Sequence, residues 1–179
     1  MSTRYASSLL ALALGSVLLA SGNAAQAVDG PLDQIGGTCI PDAATIRAGL
    51  YETRGFGIGF RGDSIGTIRL LCPFVATGDA LGAKLGITFM SVIDGDGIAE
   101  GARVQAVFRH AALASNVAVT HNVCDSNTST LTGPHNVACW FAASYPIKIN
   151  ESYWWDVEIH RSDPKINVEF LGIGMRYLN

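Results

Sequence analysis

Charged residues are scarce in this sequence. Asp, Glu, Lys and Arg make up 15% of the 179 residues, and the formal net charge is −3. Proteins that bind nucleic acid present a basic surface, so this balance argues against nucleic acid as a partner. It also provides no basic cluster for an anionic membrane, and membrane association is not expected. Hydrophobic residues make up 49% of the chain, which predicts a folded protein rather than a disordered one.

The sequence also lacks the short motifs that mark many enzymes and metal sites. It has no G-x-S-x-G motif around a serine nucleophile. It has no C-x-x-C pair of the kind that marks many zinc sites. His110, His121 and His135 fall on separate segments. No catalytic residue, metal ligand or cofactor is therefore predicted, and a non-enzymatic protein is favoured.

Only one long apolar run occurs, and it lies at the N-terminus. Arg4 supplies a positive charge, Leu9–Ala20 supply a mainly apolar run, and Ala25-Gln26-Ala27 forms an A-x-A cleavage site. The run is shorter than the roughly 20 residues of a membrane-spanning helix. This pattern predicts an export signal, so the protein is expected to be secreted, periplasmic or at the cell surface. The predicted parts are a cleaved signal peptide (1–27), a flexible leader (28–38) and a single domain (39–179).

All the cysteines lie after the predicted cleavage site, at Cys39, Cys72, Cys124 and Cys139. An exported chain meets an oxidising compartment, so two disulfides are expected. Four cysteines allow three pairings. Pairing Cys39 with Cys72 and Cys124 with Cys139 is favoured, because each of these bonds closes a local loop.

The rest of the chain reads as short strands separated by turns. Roughly eight strands are counted, and there is no alternation of strands with helices. The one predicted helix is short and spans Pro41–Gly49, with Asp42 near its start and Gly49 as its stop. The expected fold is all-β: an antiparallel sandwich, jelly-roll-like or immunoglobulin-like, held by two disulfides.

A second architecture competes with the sandwich. The final segment, Leu171–Asn179, resembles the last strand of a small outer-membrane β-barrel. Such strands need about 9 to 11 residues with an unbroken lipid-facing alternation, and most of the strands counted here are shorter or apolar on both faces. The barrel is therefore kept as the lesser alternative.

The strand pattern is clearest near the C-terminus, where every second residue is apolar at Tyr153, Trp155, Val157 and Ile159. The return strand begins at Ile166, after Arg161–Lys165, whose Ser, Asp and Pro residues favour chain reversal. The two strands are therefore predicted to form a β-hairpin. The apolar phase shifts beside Gly172, which predicts a β-bulge there.

Another clear turn signal is Asp94-Gly95-Asp96-Gly97. With Glu100 it has some likeness to a calcium loop, but Ile98 stands where the EF-hand spacing requires an oxygen ligand. The segment is therefore predicted to be a hairpin turn. Calcium bound in a turn between strands remains the minor alternative.

The candidate binding residues lie on the other face of the first C-terminal strand, at Trp154, Asp156, Glu158 and His160. A strand places such residues on one side at steps of roughly 6.6 Å. An indole ring can stack on a sugar while carboxylates accept its hydroxyl hydrogen bonds. The plainer interpretation is a solvated outer face. Asp156 and Glu158 are a poor glycosidase pair, because such pairs normally face each other across a cleft.

Two functions from different classes follow. The leading hypothesis is an exported, non-enzymatic sandwich that binds an extracellular ligand, most plausibly a carbohydrate, through the face that carries Trp154. The alternative is a self-assembling structural subunit of a cell-surface layer or appendage, in which sandwiches associate by strand addition. That alternative makes a homo-oligomer the expected form.

Overall fold

The structure, a computed structural model, describes residues 34–74, 82, 84–115 and 117–178. The predicted signal peptide and residues 28–33 of the predicted leader lie outside this range. The rest of the leader is part of the fold, since Gln34 and Ile35 pair with Ile173 and Gly172. The domain therefore begins before the boundary expected at residue 39.

The described residues contain one α-helix and eleven strands. In chain order they are β1 (Gln34–Ile35), β2 (Ile40–Pro41), α1 (Ala43–Ala48), β3 (Tyr51–Arg54), β4 (Gly57–Phe60), β5 (Gly66–Phe74), β6 (Lys84–Asp94), β7 (Ala102–Ala112), β8 (Val119–Asp125), β9 (Gly133–Pro146), β10 (Glu151–Arg161) and β11 (Val168–Leu178).

The strands form two antiparallel sheets. One sheet has the order β3-β4-β11-β6-β9, with β1 also paired to β11, and the other has the order β2-β5-β10-β7-β8. From β4 to β11 the chain changes sheet at every connection except the one between β7 and β8. These eight strands form the two four-stranded layers of a jelly roll. The two open sheets confirm the predicted sandwich over a single closed sheet.

The core lies between the sheets and is built from alternating residues. Along β10 the buried positions are Tyr153, Trp155, Val157 and Ile159. Phe108 of β7 packs against Trp155, with ring centroids 4.7 Å apart. Phe60 and Phe170 supply large buried rings from the opposite sheet. Removing this apolar surface from water is the main force that holds the sheets together.

Both predicted disulfides are confirmed. Cys39 precedes β2 and bonds to Cys72 in β5, across a separation of 33 residues. Cys124 in β8 bonds to Cys139 in β9, across a separation of 15 residues. Since β8 and β9 are edge strands of different sheets, the second bond joins the two layers covalently.

The predicted helix is also confirmed, together with both of its ends. The Asp42 carboxylate accepts a hydrogen bond from the Thr45 backbone N–H at 2.6 Å, which caps the first turn. Gly49 ends the helix with φ of 62°, a left-handed conformation that glycine adopts at little cost. Among the described residues, no helix has the length and apolar character needed to cross a membrane.

The predicted C-terminal hairpin is wrong. β10 pairs with β5 and β7, whereas β11 pairs with β1, β4 and β6 in the other sheet. The two apolar faces meet across the core instead of lying side by side. Arg161 at the end of β10 is buried and donates hydrogen bonds to the carbonyls of Gly62 and Ser64. Because β10 and β11 lie in different sheets, the connection between them crosses from one sheet to the other.

The predicted hairpin turn at Asp94–Gly97 is corrected in the same way, because β6 and β7 lie in different sheets. The segment does form a turn, as its sequence predicts. The predicted β-bulge is confirmed: the register of β11 against β6 shifts between Phe170 and Gly172.

Candidate functional site: the outer face of the five-stranded sheet

The four candidate residues lie together on the solvent side of β10, the central strand of the five-stranded sheet. We call this surface the β10 face; it comprises the outward residues of β5, β10, β7 and β8. Burial alternates strictly along β10, so that Trp154, Asp156, Glu158 and His160 point away from the core. The alternation follows from the pleat of a strand. The placement on one face is therefore as predicted.

Three cross-strand ion pairs organise the β10 face. Arg69 Nε lies 2.9 Å from Glu158 Oε1, and Arg109 Nε lies 2.8 Å from Asp156 Oδ2. Arg103 forms a hydrogen-bonded ion pair with Asp125. The Arg109 contact is an ion pair without an aligned hydrogen bond, because its N–H is not directed at the carboxylate. Sequence reasoning identified the carboxylates on β10 but not the arginines that neighbouring strands place beside them.

These ion pairs differ in exposure. The Arg69–Glu158 and Arg109–Asp156 side chains are between 37% and 61% exposed, and surface pairs of this kind contribute about 0–1 kcal/mol. A ligand that competes for these charged groups therefore displaces little stabilising energy. Asp125 is more buried: burial acts to raise its pKa, but the Arg103 guanidinium and the Asn127 N–H outweigh burial and lower its pKa.

Trp154 is partly buried and lies toward one end of this face. It lies opposite Pro73 on β5 and Arg109 on β7. Leu71 and Val123, which are 43% and 47% exposed, extend the apolar surface on either side of β10. The indole ring and these aliphatic groups thus lie around the Arg109–Asp156 ion pair, and the other charged groups lie toward the His160 end of the face.

Two open depressions lie on the β10 face. The first, of about 480 Å³, is lined by Asp42, Arg69, Leu71, Arg109, Asp156 and Glu158 among others. Trp154 adjoins it, two residues along β10 from Asp156. The second, of about 380 Å³, is lined by Glu100, Arg103, Asp125, Asn127 and His160. His160 also contacts Thr67 Oγ1 through Nδ1 at 3.3 Å. All the predicted residues thus line or adjoin a depression.

A second exposed indole, which sequence reasoning did not single out, lies on the other sheet. Trp140 is 69% exposed and follows Cys139 on the edge strand β9. Cys139 must turn inward to bond Cys124, so its neighbour must turn outward. The predicted disulfide therefore contained the signal that could have identified Trp140.

His110 and His121 form a compact polar cluster with Tyr145 at one end of the sandwich. His110 Nδ1 contacts His121 Nε2, and His110 Nε2 lies 3.4 Å from Tyr145 Oη. The ring centroids of His121 and Tyr145 are 4.0 Å apart. Burial lowers the pKa of His121, and the adjacent His110 lowers it further.

Glu151 is the acidic member of the same cluster. It accepts hydrogen bonds at 2.6 Å from both Tyr145 and Tyr153, and one at 3.2 Å from Lys148. Burial acts to raise its pKa, but these three donors outweigh burial and lower the pKa to about 2. Burial and the Glu151 hydrogen bond raise the pKa of Tyr153. The cluster joins β7, β8, β9 and β10 at this end.

The turn after β6 holds a pair of neighbouring carboxylates. Asp94 is fully buried, and its Oδ1 accepts the backbone N–H groups of Asp96 and Gly97 at 3.2 and 3.1 Å. Burial, and then the proximity of Asp94, raise the pKa of Asp96. No group of three or more His, Cys, Asp or Glu side chains within the described ranges could hold a metal ion. These aspartates order the turn by accepting backbone hydrogen bonds.

Comparison with known proteins gives little further information. No protein-family model matches the chain, and no curated protein does. Among solved structures, the chain is similar to a family 6 carbohydrate-binding module from Clostridium cellulolyticum, determined in complex with xylose. The match has a TM-score of 0.45 and 8% identity, and it covers 80% of this chain and 95% of that one. A likeness at this level concerns the arrangement of strands and not the ligand.

Proposed function

We propose that this protein is exported and binds a carbohydrate through the β10 face. The observation that carries the proposal is that Asp156 and Glu158 line an open depression of about 480 Å³, and that Trp154 is the next outward residue to Asp156 on the same face of β10. Two sequence features support export: the N-terminal signal pattern and the four cysteines, all of which are paired.

The chemistry of the β10 face suits a saccharide. A sugar ring has one apolar side, which stacks on an aromatic ring, and a rim of hydroxyl groups. Carboxylate oxygens accept hydrogen bonds from these hydroxyls, and guanidinium groups donate hydrogen bonds to them. Trp154, Asp156 and Arg69 provide these three kinds of group on adjacent strands. Arg69 and Arg109 are each already paired with a carboxylate, so neither is left to bind the acid group of a charged sugar. This part of the face therefore fits a neutral sugar better than an acidic one.

The test is a screen of neutral oligosaccharides with the purified, oxidised protein, followed by calorimetry on any ligand found. Trp154→Ala is expected to weaken binding by about tenfold or more, because it removes the stacking surface. Asp156→Asn and Glu158→Gln keep the side-chain shape but remove the charged acceptors, and smaller losses are expected.

The matched control is Phe56→Ala. Phe56 is 69% exposed and lies in the turn between β3 and β4, in the other sheet, so this variant removes an exposed aromatic ring away from the proposed site. Binding by Phe56→Ala should equal that of the wild type. The proposal fails if no neutral glycan binds, or if Trp154→Ala binds as tightly as the wild type.

A further inference from the structure

A second surface of different chemistry lies on the outer side of the six-stranded sheet. We call it the Trp140 face. Trp140 on β9 is opposite Ile87 on β6, and Ile87 is opposite Arg176 on β11. These three residues form a row across three strands. Since adjacent strands are about 4.8 Å apart, the backbones at Trp140 and Arg176 are separated by about 10 Å.

The neighbouring row has small side chains on both sides of β6. Phe89 on β6 is flanked by Ala138 on β9 and Gly174 on β11. Both neighbours have small side chains, so the surface beside Trp140 is shallow. The exposed indole of Trp140 provides an aromatic platform, which suits a flat ligand such as a sugar ring.

Arg176 sets the charge preference of this platform. Its guanidinium carbon lies 5.1 Å from the centroid of the Phe89 ring, so the group is held over the sheet by a cation–π contact. Within the described ranges it has neither an acidic partner nor a hydrogen-bond acceptor. Its planar fork of N–H donors is thus free to bind a carboxylate in two-point fashion.

The described acidic groups of the same sheet lie away from Trp140, and Asp94 is buried at the far end of β6. Glu52 and Glu169 both pair with Arg54, at the end of the sheet formed by β3 and β4. Lys84, at the start of β6, is exposed and adds a second positive charge near the Trp140 row. The described charges around Trp140 are therefore positive, in contrast to the paired charges of the β10 face.

We infer that the Trp140 face binds an acidic oligosaccharide, with a uronic-acid ring stacked on Trp140 and its carboxylate on Arg176. This site is separate from the β10 face and does not depend on the function proposed for it. The carboxylate is the group that distinguishes this ligand from the neutral sugars expected at the β10 face.

The experiment measures binding of the oxidised protein to tetramers of galacturonic, mannuronic and guluronic acid by calorimetry. The methyl-esterified galacturonate tetramer is the uncharged counterpart of the first probe. Trp140→Ala and Arg176→Ala are each expected to weaken binding of the acidic tetramer by about tenfold or more. Arg176→Lys keeps the positive charge but lacks the planar pair of N–H donors, so an intermediate loss of affinity is expected.

Trp154→Ala is the control, and it should bind the acidic tetramer as the wild type does. Both Trp140 and Arg176 are exposed, so their variants should keep the wild-type urea midpoint, which shows that the fold is intact. The inference is overturned if none of the acidic tetramers binds, if the methyl ester binds equally well, or if Trp140→Ala has no effect. Loss of acidic binding in Trp154→Ala alone would also overturn it and would assign that ligand to the β10 face.

Discussion

Trp154 and Trp155 are adjacent in the sequence and have opposite surroundings. Trp155 is 2% exposed and packs on Phe108, whereas Trp154 is on the solvent side. Trp155→Ala would leave a large cavity and is expected to lower the free energy of unfolding by about 3–5 kcal/mol. Trp154→Ala should cost less than about 1 kcal/mol, as for most surface positions. Urea denaturation of the two variants measures both free energies of unfolding. Equal losses would contradict the placement of Trp155 on the core face and Trp154 on the solvent face.

This residue-level contrast could be predicted from the sequence. A strand alternates its faces, and the apolar residues at Tyr153, Val157 and Ile159 set which face is inward. The same reasoning, applied to Cys139, places Trp140 outward. In contrast, the partners of Asp156 and Glu158 could not be predicted. Arg109 and Arg69 are distant in sequence, and the strand order alone brings them beside β10.

At the scale of the elements, the contact between His110 and His121 makes the attachment of β8 to β7 sensitive to pH. The pKa of His121 is lowered in the folded protein, so the folded state binds this proton less readily than the unfolded state. Neutral His121 therefore contributes its full stabilisation above the unfolded pKa of about 6.5. This stabilisation is lost as the pH falls through the lowered pKa of the folded state. Of the other charges nearby, Lys148 also lowers the pKa of His121, and Glu151 raises it.

The measurement is the urea midpoint at pH 8 and at pH 5. The midpoint of the wild-type protein is expected to fall on acidification, and His121→Gln should fall less because the titrating group is gone. Glu151, with a pKa of about 2, does not titrate in this range. His135→Gln is the matched control and should behave as the wild type. An identical pH dependence in His121→Gln and the wild type would refute the assignment.

The sequence could not predict whether β10 and β11 pair with each other in one sheet. Two apolar strands joined by a turn can pair edge to edge or can face each other across a core, and both arrangements require the same alternation. β10 and β11 face each other because each already has hydrogen-bonded neighbours on both sides. The bulge at Gly172 was predictable, since it changes the alternation itself.

At the scale of the whole molecule, the edges of the sheets bear on the self-assembly hypothesis. β9 is a long edge strand of 14 residues, but it has Pro134 near its start and Pro146 at its end. Its register against β6 is also interrupted between Trp140 and Tyr145. Prolines and irregular register are features that hinder the addition of another strand.

A discrete monomer is therefore expected when the oxidised protein is measured by size exclusion with light scattering. The mass should stay constant as the concentration rises, because β9, the longest edge strand described, is poorly suited to pairing. A mass that grows with concentration would instead favour the structural subunit. In that case, replacing Pro134 or Pro146 with Thr should increase association further, and no increase would exclude β9 as the contact.

The sequence by itself determined which residues of β10 face the core and where α1 begins and ends, and it favoured the observed cysteine pairing and an all-β sandwich. Each of these depends on alternation, capping or loop closure, which act over short stretches of chain. Only the tertiary structure decided which strands are neighbours, since pairing depends on distant segments meeting around a shared core. It thereby placed Arg69 and Arg109 beside β10, and Arg176 in the same row as Trp140, and so defined two faces of different charge.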